Sequence, residues 1–235
     1  HDYYDSILLT GDYQKKDIRY LEKIRNLKEK ELITVGCPYL DEALKNIGKY
    51  EKSNDFTVLV SPSWGPSGLL ARFGESLIEA LSKTGYNIII RPHPQSKKSE
   101  PEILEKLTNL YNDNEKITWD YEKDNMIAMA KSNVMISDFS GIIFDYAFLF
   151  NNPILYVDVN FDKTPYDMDD IEEEAWQFET LKKIGVQISQ SDFPNIKEVI
   201  EKAIKNQELV LAREKAKNEA WMYREKSCEK VVDYL

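Results

Sequence analysis

The chain has 235 residues, 42% hydrophobic and 31% charged, an ordinary globular mixture with ample material for a core and none of the bias of a disordered or fibrous protein. With 41 acidic against 31 basic side chains the formal charge is -10, which repels polyphosphate backbones at long range, argues against a general nucleic-acid binder and leaves any anion site to local groups. No apolar run approaches the roughly 20 residues that span a bilayer, since the nearest, Gly141–Phe150, is broken by Asp145, and the opening His1-Asp2-Tyr3-Tyr4 lacks signal-peptide character and reads as a chain entered in mid-fold.

Short apolar β-rich runs alternate with longer amphipathic segments, the pattern of β-α-β units in a mostly parallel sheet. Strands are predicted at Ser6–Thr10, Leu32–Val35, Phe56–Val60, Asn87–Arg91, Ile117–Trp119, Val134–Ile136, Ile154–Val157 and Val186–Ile188. Helices are predicted at Asp17–Lys30, Leu69–Lys83, Pro101–Leu110, Asn125–Ala130 and Ile142–Phe150. In the second of these, Leu69, Leu70, Phe73, Leu77, Ile78 and Leu81 keep helical spacing and Gly85 stands where a C-terminal cap would. Beyond Pro194 the chain reads as helix to its end, broken near Asn206-Gln207 and Ser227. Gly36-Cys37-Pro38 is a connection, and the acidic run Asp158–Asp170 is too long for a routine loop. Cys37 and Cys228 have neither metal-ligand spacing nor disulfide density and read as free thiols of a reducing compartment.

Three strand ends carry candidate chemistry. Ser61-Pro62-Ser63-Trp64-Gly65-Pro66-Ser67-Gly68 follows one buried strand and precedes a helix, so Ser61 and Trp64 can line a cleft, although alone the segment is only a Gly/Pro/Ser turn. Asn87-Ile88-Ile89-Ile90 runs into Arg91-Pro92-His93-Pro94, which puts a fixed charge and an imidazole at the carboxyl edge of the sheet, where ligands bind in open α/β folds. The two prolines exclude helix at Arg91 and His93 and stiffen the turn. The competing reading has His93 capping a loop and Arg91 paired with a carboxylate. Lys97-Lys98 reads as a solvated turn.

Val134-Met135-Ile136 leads into Ser137-Asp138-Phe139-Ser140-Gly141 and then an apolar helix, an arrangement that aims free N–H groups and the helix dipole at a phosphate. Ser140 and Gly141 form the expected cradle. Ser137, Asp138 or Ser140 capping its own helix is the alternative, and the two readings are compatible. Asp145, a charge on an otherwise apolar helix, either faces the ligand as a ribose contact or forms a buried ion pair with Arg91 or another base. No carboxylate cluster demands a metal.

Pro62-Ser63-Trp64, Arg91-Pro92-His93-Pro94, Ser137-Asp138-Phe139-Ser140-Gly141-Ile142-Ile143-Phe144-Asp145-Tyr146 and the upstream Val35-Gly36-Cys37-Pro38-Tyr39-Leu40-Asp41 together resemble the CDP-glycerol glycerophosphotransferase family of teichoic-acid and capsule polymerases and primases. The resemblance spans nearly the whole chain. It implies the C-terminal half of a GT-B-type fold, a Rossmann-like doubly wound parallel sheet with C-terminal helices. Residues 1–50 would be the tail of an acceptor domain with a linker, and 51–235 the nucleotide-binding domain. It also implies transfer of glycerol phosphate from CDP-glycerol to a polyol-phosphate or glycan hydroxyl, with no separate cofactor. His93 would be one of two essential histidines, and the cradle would hold the pyrophosphate.

The family's other histidine belongs to a His-Gly motif, whereas His1 here is followed by Asp2, so the chain resembles a fragment that carries mainly the donor site and lacks the N-terminal domain. Gly65 stands where many members have a basic residue and Gly141 where they have a second Ser. The Ser140–Asp145 segment is similar as well to the UDP-sugar 2-epimerase motif, which keeps a UDP-sugar enzyme open as an alternative. A non-catalytic α/β interaction module is the alternative of another class. The resemblance places the full protein in the cytoplasm, peripheral at the inner face of the cell membrane.

Overall fold

The computed structural model describes residues 3–157 and 174–235. The expected functional loop at Asp158–Asp170 and the terminal His1 lie outside these residues.

Strand β1 (Ser6–Leu9), helix α1 (Gln14–Ile24) and strand β2 (Glu31–Thr34) come first, with β1 and β2 paired in parallel as a separate two-stranded sheet. Helix α1 starts and ends earlier than its sequence pattern suggests. Its buried Glu22 accepts from the Arg19 guanidinium at 2.6 Å and from the Lys30 N–H at 2.8 Å, and Asn26 takes a left-handed φ of 50°, so the chain turns back early towards β2. Helix α2 (Pro38–Asn46), not predicted from the sequence, begins at the last residue of the Gly36-Cys37-Pro38 connection. Proline at its first turn is a start signal, because the missing N–H is one that no helix could satisfy there.

Six strands make the main sheet: β3 (Thr57–Val60), β4 (Asn87–Ile90), β5 (Ile117–Trp119), β6 (Val134–Ser137), β7 (Ile154–Val157) and β8 (Val186–Ile188). All pair in parallel, in the order β5-β4-β3-β6-β7-β8. Helices cover both faces, as a parallel sheet requires. On one face lie α3 (Leu69–Ser82), α5 (Pro101–Tyr111) and α9 (Ile196–Lys205), whose Leu69, Leu77, Ile78, Leu107 and Ile200 join Val58, Val60, Ile88 and Ile90 in one core. On the other lie α2, α6 (Asn125–Lys131), α7 (Ile142–Phe150), α8 (Trp176–Ile184) and α10 (Gln207–Ala220), around Leu59, Met135 and Ile154. Each fully buried Leu or Ile contributes on the order of 2 kcal/mol to this double packing.

Lys97 and Lys98 sit on a single helical turn, α4 (Ser96–Ser99), with the Lys97 ammonium 4.2 Å from the Tyr121 ring centroid. Pro194 does not open the tail helix. It lies inside a 3-10 segment, Gln190–Asn195, fixed by a capping box between Ser189 and Asp192, and α9 follows. The tail ends in α11 (Ser227–Tyr234). Buried Asp41 of α2 ties that tail down by accepting from Trp221 Nε1 at 2.8 Å, Glu225 N at 2.8 Å and Ser227 N at 2.9 Å. Gly36 belongs to the same clasp: its φ is 89°, and a Cβ there would come within 2.1 Å of the Met222 carbonyl oxygen.

The sheet order places the site. From β3 the chain winds outward through β4 and β5, then returns to start β6 on the other side and winds away through β7 and β8. The loops after β3 and β6 therefore diverge and open a crevice at the carboxyl edge, the position where open α/β sheets bind ligands. Among the described residues no helix is long and apolar enough to cross a membrane.

Candidate functional site

Asp138, directly after β6, organises the crevice. Its carboxylate accepts from Ser63 N at 2.9 Å, Leu69 N at 2.9 Å and Ser140 N at 3.2 Å. Thus it caps α3 from outside that helix and pins the loop after β3 to the loop after β6. Burial raises its pKa, opposed by the Leu69, Ser63 and Phe139 N–H donors and the Ser63 side chain. Ser137 adds a second tie by donating to the Ser61 carbonyl at 2.6 Å, while Ser61 N donates to Ile136 O at 3.0 Å. Ser61, Ser137 and Asp138, expected from the sequence as donor contacts, are therefore spent on joining the two loops.

Helix α7 has no side-chain cap. Its Ile143 and Phe144 N–H groups bond back to Ser140 and Gly141, whereas the Gly141 and Ile142 N–H groups have no partner among the described residues. A Cβ on Gly141 would meet nothing within 4 Å, so the approach is open. The alternative in which Ser137, Asp138 or Ser140 caps its own helix is not what forms, since Asp138 caps α3 instead, and α7 keeps the free donors and positive dipole end that an anion requires.

His93 lies on the neighbouring loop. Its Nδ1 accepts from Gln95 N at 3.1 Å, which puts the proton of the neutral ring on Nε2. Desolvation lowers its pKa, partly offset by the charges of Asp138 and Glu100. His93 is thus a neutral donor at pH 7 whose second nitrogen is already occupied. Trp64, 43% exposed, stands 6.3 Å away, ring centroid to ring centroid, and widens the aromatic wall.

Arg91, expected from the sequence as a catalytic cation, pairs with a carboxylate, as the competing reading had it. It is only 9% exposed, with Nη1 on Asp120 at 2.6 Å and Nη2 on the Glu122 carbonyl at 2.7 Å. A half-satisfied buried guanidinium is costly, so its charge is answered inside the fold, and what it does is brace the His93 turn against the chain after β5. Its partner Asp120 and the Glu122 carbonyl had no motif in the sequence to mark them.

Asp145, on α7, meets no cation among the described residues and does not pair with Arg91. Burial pushes its carboxyl up to about 6, tempered by the Tyr39 hydroxyl at 3.4 Å. It opens onto a cavity of about 560 Å³ between β1, α1, α7 and the start of α8, lined by Thr10, Tyr13, Cys37, Phe144 and Trp176 among others. His93 and Ser140 lie outside that cavity. Cys37, half buried, and Cys228, exposed, are free thiols. Tyr39, whose hydroxyl meets Asp145, was passed over in the sequence reading although it lay inside a quoted segment. Among the described residues no three His, Cys, Asp or Glu side chains are grouped to hold a metal ion.

Residues 10–233 match the family described as CDP-Glycerol:Poly(glycerophosphate) glycerophosphotransferase. The chain belongs to that family. No curated protein sequence matches it. Among solved structures it is similar to a Methanocaldococcus jannaschii UDP-GlcNAc 2-epimerase in complex with UDP-GlcNAc and UDP (TM-score 0.63, 15% identity, 98% of this chain and 60% of that one). It is similar as well to the wall teichoic acid polymerase TagF (0.55, 16%, 98% and 56%) and to S. aureus MnaA with UDP (0.63, 15%, 98% and 60%). At such identities the likeness establishes the doubly wound parallel α/β fold. The glycerophosphotransferase family is one of transferases, and this member spans 56% to 60% of the length of these three structures.

Proposed function

We propose that this chain is the donor-binding part of a glycerophosphotransferase that takes CDP-glycerol and passes glycerol phosphate to a hydroxyl acceptor of a teichoic-acid or capsule polymer. The observation that carries this is the pair of Gly141 and Ile142 N–H groups, without partners among the described residues, at the sheet's switch point, with the His93 imidazole on the adjoining loop. The donor's pyrophosphate fits there, and its ribose extends along α7 to Asp145. The acceptor oxygen forms a bond to the glycerol-bearing phosphorus. The bond from that phosphorus to the bridging oxygen breaks, and this oxygen leaves with CMP.

His93 donates from Nε2 to the oxygen on which charge develops, and the N–H cradle and helix dipole share the rest. Because the Gln95 N–H already occupies Nδ1, the acceptor's proton goes to a group other than His93. Titration calorimetry with CDP-glycerol, CDP, CMP and UDP tests the donor. Cytidine nucleotides should bind more tightly than UDP, and the reverse would assign the site to a UDP-sugar enzyme. In the full-length enzyme, His93→Ala should abolish transfer while only weakening donor binding, and unchanged turnover would sink the role given to it.

A further inference from the structure

Arg213, on α10, is 1% exposed, yet its guanidinium is met by the ends of two helices rather than by a carboxylate. Nε donates to Asn151 Oδ1 at 2.8 Å, Nη2 to the Asn151 carbonyl at 3.1 Å and Nη1 to the Ile184 carbonyl at 3.4 Å. Asn151 is the C-cap of α7, in a left-handed conformation with φ 50°, and Ile184 is the last residue of α8. Carbonyls at helix ends lack partners within the helix and carry its negative pole, so both ends suit a cation. Glu214 joins the group through Asn151, whose Nδ2 donates to that carboxylate at 2.9 Å.

The other buried positions of α10 are Ala216 and Ala220. An apolar side chain at 213 would fill the same space without stripping water from a charge, and buried ions are weak stabilisers of a fold. What the guanidinium governs is α7. That helix has 9 residues and is about 14 Å long, with the Gly141 and Ile142 N–H groups at one end and Arg213 at the other. Midway, the Tyr146 hydroxyl accepts from Ser132 Oγ at 3.1 Å and donates to the Ser132 carbonyl at 3.2 Å, a pivot that leaves the direction of the axis to the two ends. A cation at the carboxyl end also offsets the negative pole that opposes an anion at the amino end.

We infer that Arg213 is a positioning residue for the donor's phosphates: by fixing the carboxyl end of α7 it sets where the Gly141 and Ile142 N–H groups point. This rests on the donor-site reading above and extends that site to a tail helix that does not touch the ligand.

Titration calorimetry of the chain with CDP and CMP decides it, on wild type, Arg213→Met, Arg213→Lys and Asn151→Gly, with unfolding midpoints taken on each. Wild type should favour CDP, whose second phosphate reaches the cradle. Arg213→Met should keep its affinity for CMP and lose about tenfold of that preference, on the order of one charge-assisted hydrogen bond. Arg213→Lys, which restores the charge without the planar fork, should regain part of it. If Arg213→Met does not fold, Asn151→Gly carries the trial. Glycine takes the left-handed φ without strain, removes the acceptor of Nε and should cost about threefold of the preference. An unchanged CDP-to-CMP ratio in whichever of these two folds, or equal affinity of wild type for the two ligands, overturns the inference and leaves the donor site standing. A merely structural Arg213 would weaken both ligands alike and leave the ratio untouched. Failure of wild type to bind either nucleotide at millimolar concentration overturns the donor-site reading and this inference with it.

Discussion

Asp145 sets two quantities in opposition. Its carboxyl titrates at about 6 in the fold, against 3.8 when free of it, so the folded state holds a proton that the unfolded chain has lost across that interval. Its contribution to stability therefore falls as pH rises through the window and is least favourable above 6. Asp145→Asn removes that cost and should stabilise the chain at pH 8 by about 2 kcal/mol, the gain shrinking below pH 6 and vanishing near pH 4, as urea unfolding at several pH values would show. Donor affinity runs the other way. Ribose hydroxyls need an acceptor, so binding to wild type should weaken as pH drops through about 6, and a flat profile would remove the carboxylate from the site. His93 permits an equally specific trial at the nitrogen level. If Nε2–H is the working donor, His93→Gln, which places an amide near that nitrogen, should keep more transfer activity in the full-length enzyme than His93→Asn, which places it near Nδ1. The sequence singled out His93, Ser140, Gly141 and Asp145 because strand ends and helix starts are local signals. The partners of Arg91 and Asp138, Asp120 for the one and the Ser63 and Leu69 N–H groups for the other, were not legible, because they are set by tertiary contact and leave no trace in local spacing.

At the scale of elements, the buried parallel strands were legible for a physical reason. Covered on both faces, they read as unbroken apolar runs such as Asn87-Ile88-Ile89-Ile90, and their predicted bounds differ from the observed ones by a residue or so. Helices α2 and α8 were not legible. Each is only 9 residues long, and in α2 the repeat of Leu40, Ala43 and Leu44, continued by Ile47, is there but was hidden behind the Gly36-Cys37-Pro38 turn signal. Yet α2 carries Tyr39 and the clasp on the tail. Asp41 satisfies three buried donors at once, so Asp41→Ala leaves the Trp221 Nε1 and the Glu225 and Ser227 N–H groups without their acceptor. A loss of about 3–5 kcal/mol is expected by denaturant titration, well above that for a surface aspartate.

The whole molecule carries a formal charge of -10 and is proposed to bind a donor that is itself anionic. Two designs can reconcile these. One surrounds the pyrophosphate with lysine and arginine, so that affinity falls steeply with salt as it does for phosphate-backbone binders. The other uses dipoles: backbone N–H groups, a helix start and a neutral imidazole, whose interactions with a phosphate are short-ranged and little screened. The geometry favours the second, since Arg91 is committed to Asp120, the proposed cradle is the Gly141 and Ile142 N–H groups, and His93 has its pKa lowered by burial. At long range the acidic surface still repels the donor, and salt relieves that repulsion. Raising NaCl from low to near-physiological concentration should therefore speed association in stopped-flow measurements while changing the CDP dissociation constant by less than about threefold, because the short-range dipolar contacts that hold the ligand are barely screened at a Debye length of roughly 8–10 Å. A loss of affinity by a factor of ten or more over that range would show that cations hold the pyrophosphate, and the cradle would have to be sought elsewhere on the sheet edge.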